Sequence, residues 1–409
     1  MRERRRDVLS LMGAVVGAAL LVAAIDKLTN SIDTTAFSWD LRYYIDMARR
    51  GLVSPLASPF AYRYLTPLLV RMISGIWHLP VEAGFGILAR MAAVLQLVSV
   101  FLLAKWYSRS VAGAWVAMLA TAFSFYQVKF LLFDTFRPDH LAYALLILQV
   151  YLGLRGKFWL LWLVTLVACQ VREFNALPLV AWALVTLWEA RQSFKSSGGR
   201  AAIVQSLIAA LGLSVALLLP RLLIPVAEDF QFATLTRDGL LRSLLAPLIL
   251  ARDANFIYSL LAYALPLLML ASSMQLQALW IDTPGWDRRF LVTYSGLVLV
   301  LSFLGGTDFG RFATFLLPVL VLILARLAVG SGRYRVLGML AAVFVFNRIW
   351  LPVPDASVDA YLDFYGAYGT RFNLASWVRI GELAALVVAG ILIRRADGSG
   401  GSASAPLTG

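Results

Sequence analysis

Long apolar runs separated by short polar stretches recur along the whole chain. They fall at 8–25, 84–105, 110–127, 138–154, 158–172, 174–190, 201–225, 255–275, 290–304, 311–328, 335–350 and 377–393. A helix needs about twenty apolar residues to cross the hydrocarbon core of a bilayer, and a helix that is apolar all round has no face to turn to water. The pattern predicts an all-α integral membrane protein with about 12 transmembrane helices. One further stretch, 64–79, is apolar but short, and it carries Arg71 and His78 with Arg63 just before it. Whether it crosses fixes the orientation of every later helix.

Charge decides that point. If 64–79 stays on one side, the loops on the inner side hold half of the 36 Lys and Arg residues, from Arg2, Arg4, Arg5 and Arg6 through Arg288 and Arg289 to Arg394 and Arg395. If it crossed, those basic loops would face outward, against the bias of Lys and Arg toward the cytoplasm. The expectation is therefore twelve spans with both termini cytoplasmic and 64–79 as an amphipathic or re-entrant helix at the outer surface. Most of the 23 acidic residues then fall on outer loops or outer helix ends. The expected organisation is a single polytopic domain over 1–397, with an outer-face loop at 26–83 and a flexible low-complexity tail at 398–409.

Composition agrees: 60% of the residues are hydrophobic and 14% charged, where a soluble domain is nearer a quarter charged. The net charge of +13 does not point to nucleic acid, because the basic residues sit singly or in pairs at helix ends and form no stripe. Cys169 is alone in an apolar run, which leaves no disulfide or thiol site. No small-residue cleavage site follows the first apolar run, so it reads as an uncleaved helix. The absence of a Gly-rich phosphate loop, HExxH or GxSxG argues against cytoplasmic nucleotide chemistry.

The first outer loop is long enough to have a task of its own. It reads SWDLRYYIDMARRG and then LVSPLASPFAYRYLTPLL. Asp40, Tyr43, Tyr44, Met47 and Ala48 have helical spacing, and Gly51 is placed to end that helix. Asp40 and Asp46 are six apart and diverge on an ideal helix. Further on, DTFRPDH at 134–140 gathers charges and a histidine at the mouth of an apolar run. VREFNALPL at 171–179 and GGTDFGRF at 305–312 set further charges beside others.

An outer loop with Asp, a Tyr pair three and four residues later, Ala and Gly, then a Pro-Phe…Tyr-Arg…Pro segment resembles the GT-C superfamily of membrane glycosyltransferases. The resemblance covers the N-terminal half best and is architectural. It implies a structured first outer loop with juxtamembrane helices and transfer of a sugar from a polyprenyl-phosphate carrier on the outer face. The acceptor would be a glycan, a lipid or a protein, and the setting the cytoplasmic membrane of a prokaryote. Asp40 maps onto the family's catalytic acidic position. Inverting transfer needs one carboxylate to deprotonate the acceptor and cations to neutralise the leaving phosphate. Asp40 is the first candidate base, with a helix N-cap as its alternative role; Asp46, Asp134 and Asp33 follow it. Arg63, Arg137, Arg172 and Arg311 are candidates for the donor phosphate, the planar guanidinium suiting that task.

Tyr43, Tyr44, Asp139, His140, Glu173 and Asp308 are candidates for substrate contact. Each has a structural alternative: interface anchoring for the tyrosines, a local Arg–Asp pair in the 134–139 loop, hydrogen-bonded packing for His140, and an i,i+3 pair for Asp308 and Arg311. Arg172 and Glu173 are adjacent and point apart, so they need separate partners; for Arg172 the structural alternative is Asp134 or Asp139. Outer carboxylates also offer oxygens suited to Mg²⁺ or Mn²⁺, although no dense cluster demands an ion. The rival classes are a multi-pass transporter or lipid-linked sugar flippase and a polysaccharide polymerase or ligase. Against a carrier stand the missing inverted repeat and the few midplane charges.

Overall fold

The structure, a computed structural model, describes residues 2–29, 41–52, 56–192, 197–229, 254–270, 279–304, 312–352 and 374–400. Asp33, Asp40, Asp308, Arg311 and residues 401–409 lie outside the described residues. The described chain is mostly helical. Three helices are long and apolar enough to cross a membrane: Arg5–Asp26, Val81–Ser108 and Ser197–Leu223. Shorter apolar helices pack around them.

Helices α1 (Arg2–Asp26), α2 (Leu41–Arg50) and α3 (Leu65–Trp77) lead into α4 (Val81–Ser108), α5 (Val111–Ala122) and the short α6 (Lys129–Phe133). Then come α7 (Asp139–Leu154), α8 (Phe158–Cys169), α9 (Leu177–Gln192) and α10 (Ser197–Leu223). The last third holds α11 (Ala254–Ala264), α12 (Gly285–Leu304), α13 (Leu317–Val329), α14 (Arg333–Phe346) and α15 (Leu374–Gly400). Helix α15 runs on to Gly400, past the expected tail boundary at 398; terminal turns shift easily by such amounts.

Side-chain partners fix the helix directions. Asp7 pairs with Lys105 at one end of α1 and Asp26 with Arg90 toward the other, so α1 and α4 are antiparallel. Phe85 meets Phe136 and Trp106 meets Tyr151, which sets α7 parallel to α4. Trp162 on α8 donates to Ile208 O and Gln170 to Ala216 O, so α8 and α10 run the same way. One end of the bundle, called upper here, therefore carries α2, the 134–139 loop and the turn at Glu173. The lower end carries Lys105, Arg155 and the start of α12.

On α10 the packing is inverted relative to a soluble bundle. The buried residues of α10 include Ser206, Ala209, Gly212 and Ala216, all small. Val204, Leu207, Leu211, Val215, Leu218 and Leu222 make an outward stripe at helical spacing, each at least half exposed. Water would penalise that stripe, whereas lipid does not distinguish it from a core. Helix α4 sits at the centre, against α1, α3, α5, α7 and α13. Its Ala89, Ala92, Ala93 and Ala104, with Ala114 and Ala117 of α5, let the backbones approach closely. Helix α3 falls within the predicted 64–79 stretch; it packs on α4 while Met72, Ile76 and Trp77 stay exposed.

Candidate functional site

The expected loop helix forms at Leu41–Arg50, and Gly51 follows it with φ of +79°, in the left-handed region that glycine enters freely. Its inward face is Leu41, Tyr44, Ile45, Met47 and Ala48. Tyr43 stacks flat on Phe60, with ring centroids 4.8 Å apart, and Tyr44 meets the same ring edge-on at 5.8 Å. Phe60 opens a 3-10 turn, Phe60–Tyr62, that delivers Arg63. Asp46, half-buried on α2, has no ion-pair partner among the described residues.

The segment that follows is tied to the far side of the bundle. Ala57 and Ser58 form a two-residue parallel bridge with Glu228 and Asp229, and the Ala227 amide donates to Leu56 O over 2.7 Å. The Leu65 amide donates to Gln170 O over 3.2 Å. Arg63 thereby reaches the turn between α8 and α9, where its Nε donates to Glu173 Oε2 over 3.1 Å. Its Nη1 reaches the Tyr44 hydroxyl at a long 3.5 Å. Arg221, at the end of α10, lies 4.7 Å over the Tyr62 ring.

Burial alone would weaken the Arg63 charge, but Glu173 and the Tyr44 hydroxyl more than restore it and hold its pKa above the usual guanidinium value. Glu173 shows the complementary balance. Burial pushes its carboxyl up, yet Arg63, a backbone N–H, Arg172 and Arg221 together hold it below the usual glutamate value.

Arg172 and Glu173 take separate partners, as adjacency requires. Arg172 has extended backbone, φ −159° and ψ 136°, so the two side chains leave the chain in opposite directions. Glu173 faces Arg63, and Arg172 pairs with Asp139 in the first turn of α7. Both members of that pair are buried, Arg172 at 1% exposure. The Arg172 guanidinium lies 5.6 Å over Phe312, which stacks on Phe174 at 4.2 Å. In the loop ahead of α7, Arg137 pairs with Asp134, three residues away. His140 is fully buried and spends both ring nitrogens locally, on Thr135 O at 3.0 Å and the Leu141 amide at 2.8 Å.

Of the candidates, the structure brings Tyr43, Tyr44, Arg63, Glu173, Arg172 and Asp139 into one connected cluster, with Asp134 and Arg137 in the adjoining loop. His140 is committed to its own turn. Among the described residues, four arginines, Arg63, Arg137, Arg172 and Arg221, stand with the carboxylates of Asp134, Asp139 and Glu173. Arg63 and Arg137 keep side-chain exposures of 13% and 17% against 2% for Arg172, so they are the reachable pair. A guanidinium has five N–H donors, so one bound to a carboxylate retains others for a phosphate. Among the described residues no three His, Cys, Asp or Glu side chains stand together to hold a metal ion.

Sequence reasoning passed over Arg221, Phe174 and Phe312 as site residues, and it used Tyr62 only as part of the Pro-Phe…Tyr-Arg…Pro segment. It also passed over Lys129. That side chain is fully buried, and its Nζ donates to Ile349 O over 2.9 Å and to Leu351 O, just beyond the end of α14. Burial pulls the Lys129 amine down to about 8. The two carbonyls compensate its charge and tie α6 to α14. No protein-family model matches this chain, and no curated protein matches it.

Proposed function

We propose that this chain is a polytopic membrane glycosyltransferase of the GT-C type, with about twelve spans and both termini in the cytoplasm. It would move a sugar from a polyprenyl-phosphate carrier to an acceptor on the outer face. The observation that carries the proposal is the arginine and carboxylate cluster at the upper end of an apolar bundle. There the loop helix meets the segment 56–65, whose Arg63 pairs with Glu173, and the neighbouring Arg172 pairs with Asp139. Buried or near-buried charges in an apolar bundle are costly and call for a role.

In this proposal Arg63 and Arg137 receive the carrier phosphate, and the Arg172–Asp139 pair holds the floor beneath them. The acceptor hydroxyl attacks the anomeric carbon as Asp40 takes its proton. The bond from that carbon to the phosphate oxygen breaks with its electron pair, and the polyprenyl phosphate leaves with inversion at carbon. Tyr43 and Phe60 offer a flat aromatic surface against which a sugar ring can lie.

The test uses purified full-length protein in vesicles with a panel of polyprenyl-phosphate-linked pentoses and hexoses and a mixed acceptor extract. Wild type is expected to release polyprenyl phosphate and form a glycosyl product, and Asp40→Asn to lose both with unchanged melting and monodispersity. Full transfer by Asp40→Asn overturns the base assignment. Solute movement across the vesicle without any glycosyl product, by wild type, overturns the transferase and favours a carrier.

A further inference from the structure

The lower end of the bundle, opposite the cluster described above, holds a cavity of about 870 Å³. Its walls come from α1, α4, the end of α7 and the start of α12. Two of its three carboxylates are already neutralised. Lys105 Nζ donates to Asp7 over 2.8 Å and to the Ser10 hydroxyl over 2.6 Å, and Arg326 stands 3.7 Å from Asp282.

What remains is unequal. Arg109 and Arg155 also line the cavity, both exposed, and neither has a carboxylate partner among the described residues. Arg155 lies 6.0 Å over Trp106 and 5.8 Å over Tyr151, so these two rings fix its direction without cancelling its charge. Against these two cations stands Asp287 alone, half-buried and without an ion-pair partner among the described residues. The cavity therefore keeps at least one positive charge in excess.

Apolar side chains share the lining. Val8 and Leu11 of α1 and Leu102 of α4 belong to it, and on the same helix α1 Leu9 and Met12 are each more than half exposed. A free anion would gain nothing from those side chains, whereas an amphiphile would use both kinds. Trp106, Tyr107 and Tyr151 line the cavity as well, and amphipathic rings of this kind belong at a bilayer interface.

We propose that this cavity binds the phosphate headgroup of an anionic phospholipid, with Arg109 and Arg155 on the phosphate and an acyl chain along Val8, Leu11 and Leu102. Under the proposed topology this is the cytoplasmic leaflet, but the binding itself does not depend on that topology or on transferase activity. Trp106 and Tyr151 hold Arg155 as positioning residues.

Native mass spectrometry of the full-length protein in detergent tests the site with dioleoyl-phosphatidylglycerol, dioleoyl-phosphatidylcholine and inorganic phosphate as probes. The expected result is preferential retention of phosphatidylglycerol and no effect of inorganic phosphate at equal concentration. Arg109→Gln, on an exposed position outside the core, is expected to weaken retention about tenfold, the worth of one charge-assisted hydrogen bond. Asp287→Asn removes the opposing charge and is expected to strengthen it. That gain cannot come from misfolding. Arg63→Gln, at the other end, is expected to leave retention unchanged. Equal retention of the two lipids, displacement by inorganic phosphate, or indifference to both Arg109→Gln and Asp287→Asn overturns the proposal. Because Asp40→Asn is expected to bind lipid normally, failure here and failure of the transferase assignment are told apart.

Discussion

The Arg172–Asp139 pair offers the sharpest test of how the cluster is held. Both side chains are almost wholly buried, so removing one partner leaves the other charge buried without this ion pair. Breaking a buried pair in this way costs about 3–5 kcal/mol. Local compensation trims that figure on each side. In Asp139→Asn the guanidinium still lies over Phe312, a contact worth up to about 2 kcal/mol when desolvated, and keeps the attraction of Glu173. In Arg172→Gln the carboxylate sits in the first turn of α7, where the helix dipole returns up to about 1–2 kcal/mol. Each single change is therefore expected to cost about 2–3 kcal/mol. The double variant, in which neutral Gln and Asn side chains can hydrogen-bond, should cost at least about 2 kcal/mol less than the sum of the singles. With an unfolding entropy of about 2.1 cal/mol/K per residue, a chain this long loses about 1 °C in melting temperature for each kcal/mol. Thermal melting in detergent should then fall by roughly 2–3 °C for each single change, and in the double variant by about 2 °C less than the two falls added together. Strict additivity, or singles that melt with wild type, would refute the coupling and return Arg172 to direct phosphate binding.

Glu173 links stability to acid. Its folded carboxyl is depressed below the ordinary value of 4.5, so its contribution is fully present above that value and is lost as pH falls through the folded pKa. Wild type should lose melting temperature over that acid range more steeply than Glu173→Gln, and equal slopes would sink the assignment. At Gly212 an added Cβ would stand 2.3 Å from Trp162 Nε1, which is held in place by its bond to Ile208 O. Overpacking of about 1–3 kcal/mol should outweigh the gain of up to about 1 kcal/mol in helix propensity, so Gly212→Ala is expected to melt lower than wild type. Gly296→Ala, with nothing within 4 Å of its added Cβ, is the control and should melt at or above wild type.

Much of the architecture was legible in the residues. Apolar runs marked the helices because burying or lipid-exposing a backbone requires internal hydrogen bonds, and the helix satisfies them locally. Gly51 marked the end of α2 because a left-handed residue there is local chemistry too. Most of the charged members of the candidate cluster were also named, Arg221 excepted, since charges at the mouths of apolar runs are conspicuous in any sequence. Their partners were not. Arg63 and Glu173 are 110 positions apart, and only the path of the 56–65 segment over the α8–α9 turn brings them together. Adjacency said that Arg172 and Glu173 diverge, but it left Arg172 to choose between Asp134 and Asp139. The extended backbone at Arg172 and the start of α7 at Asp139 decided that choice, and Arg137, three residues from Asp134, took the other carboxylate. Helix formation is a local bargain between a residue and the next turn, so sequence alone determined it. Ion pairing and the inward turn of small residues on α10 depend on which helices meet, and only the tertiary structure decided that.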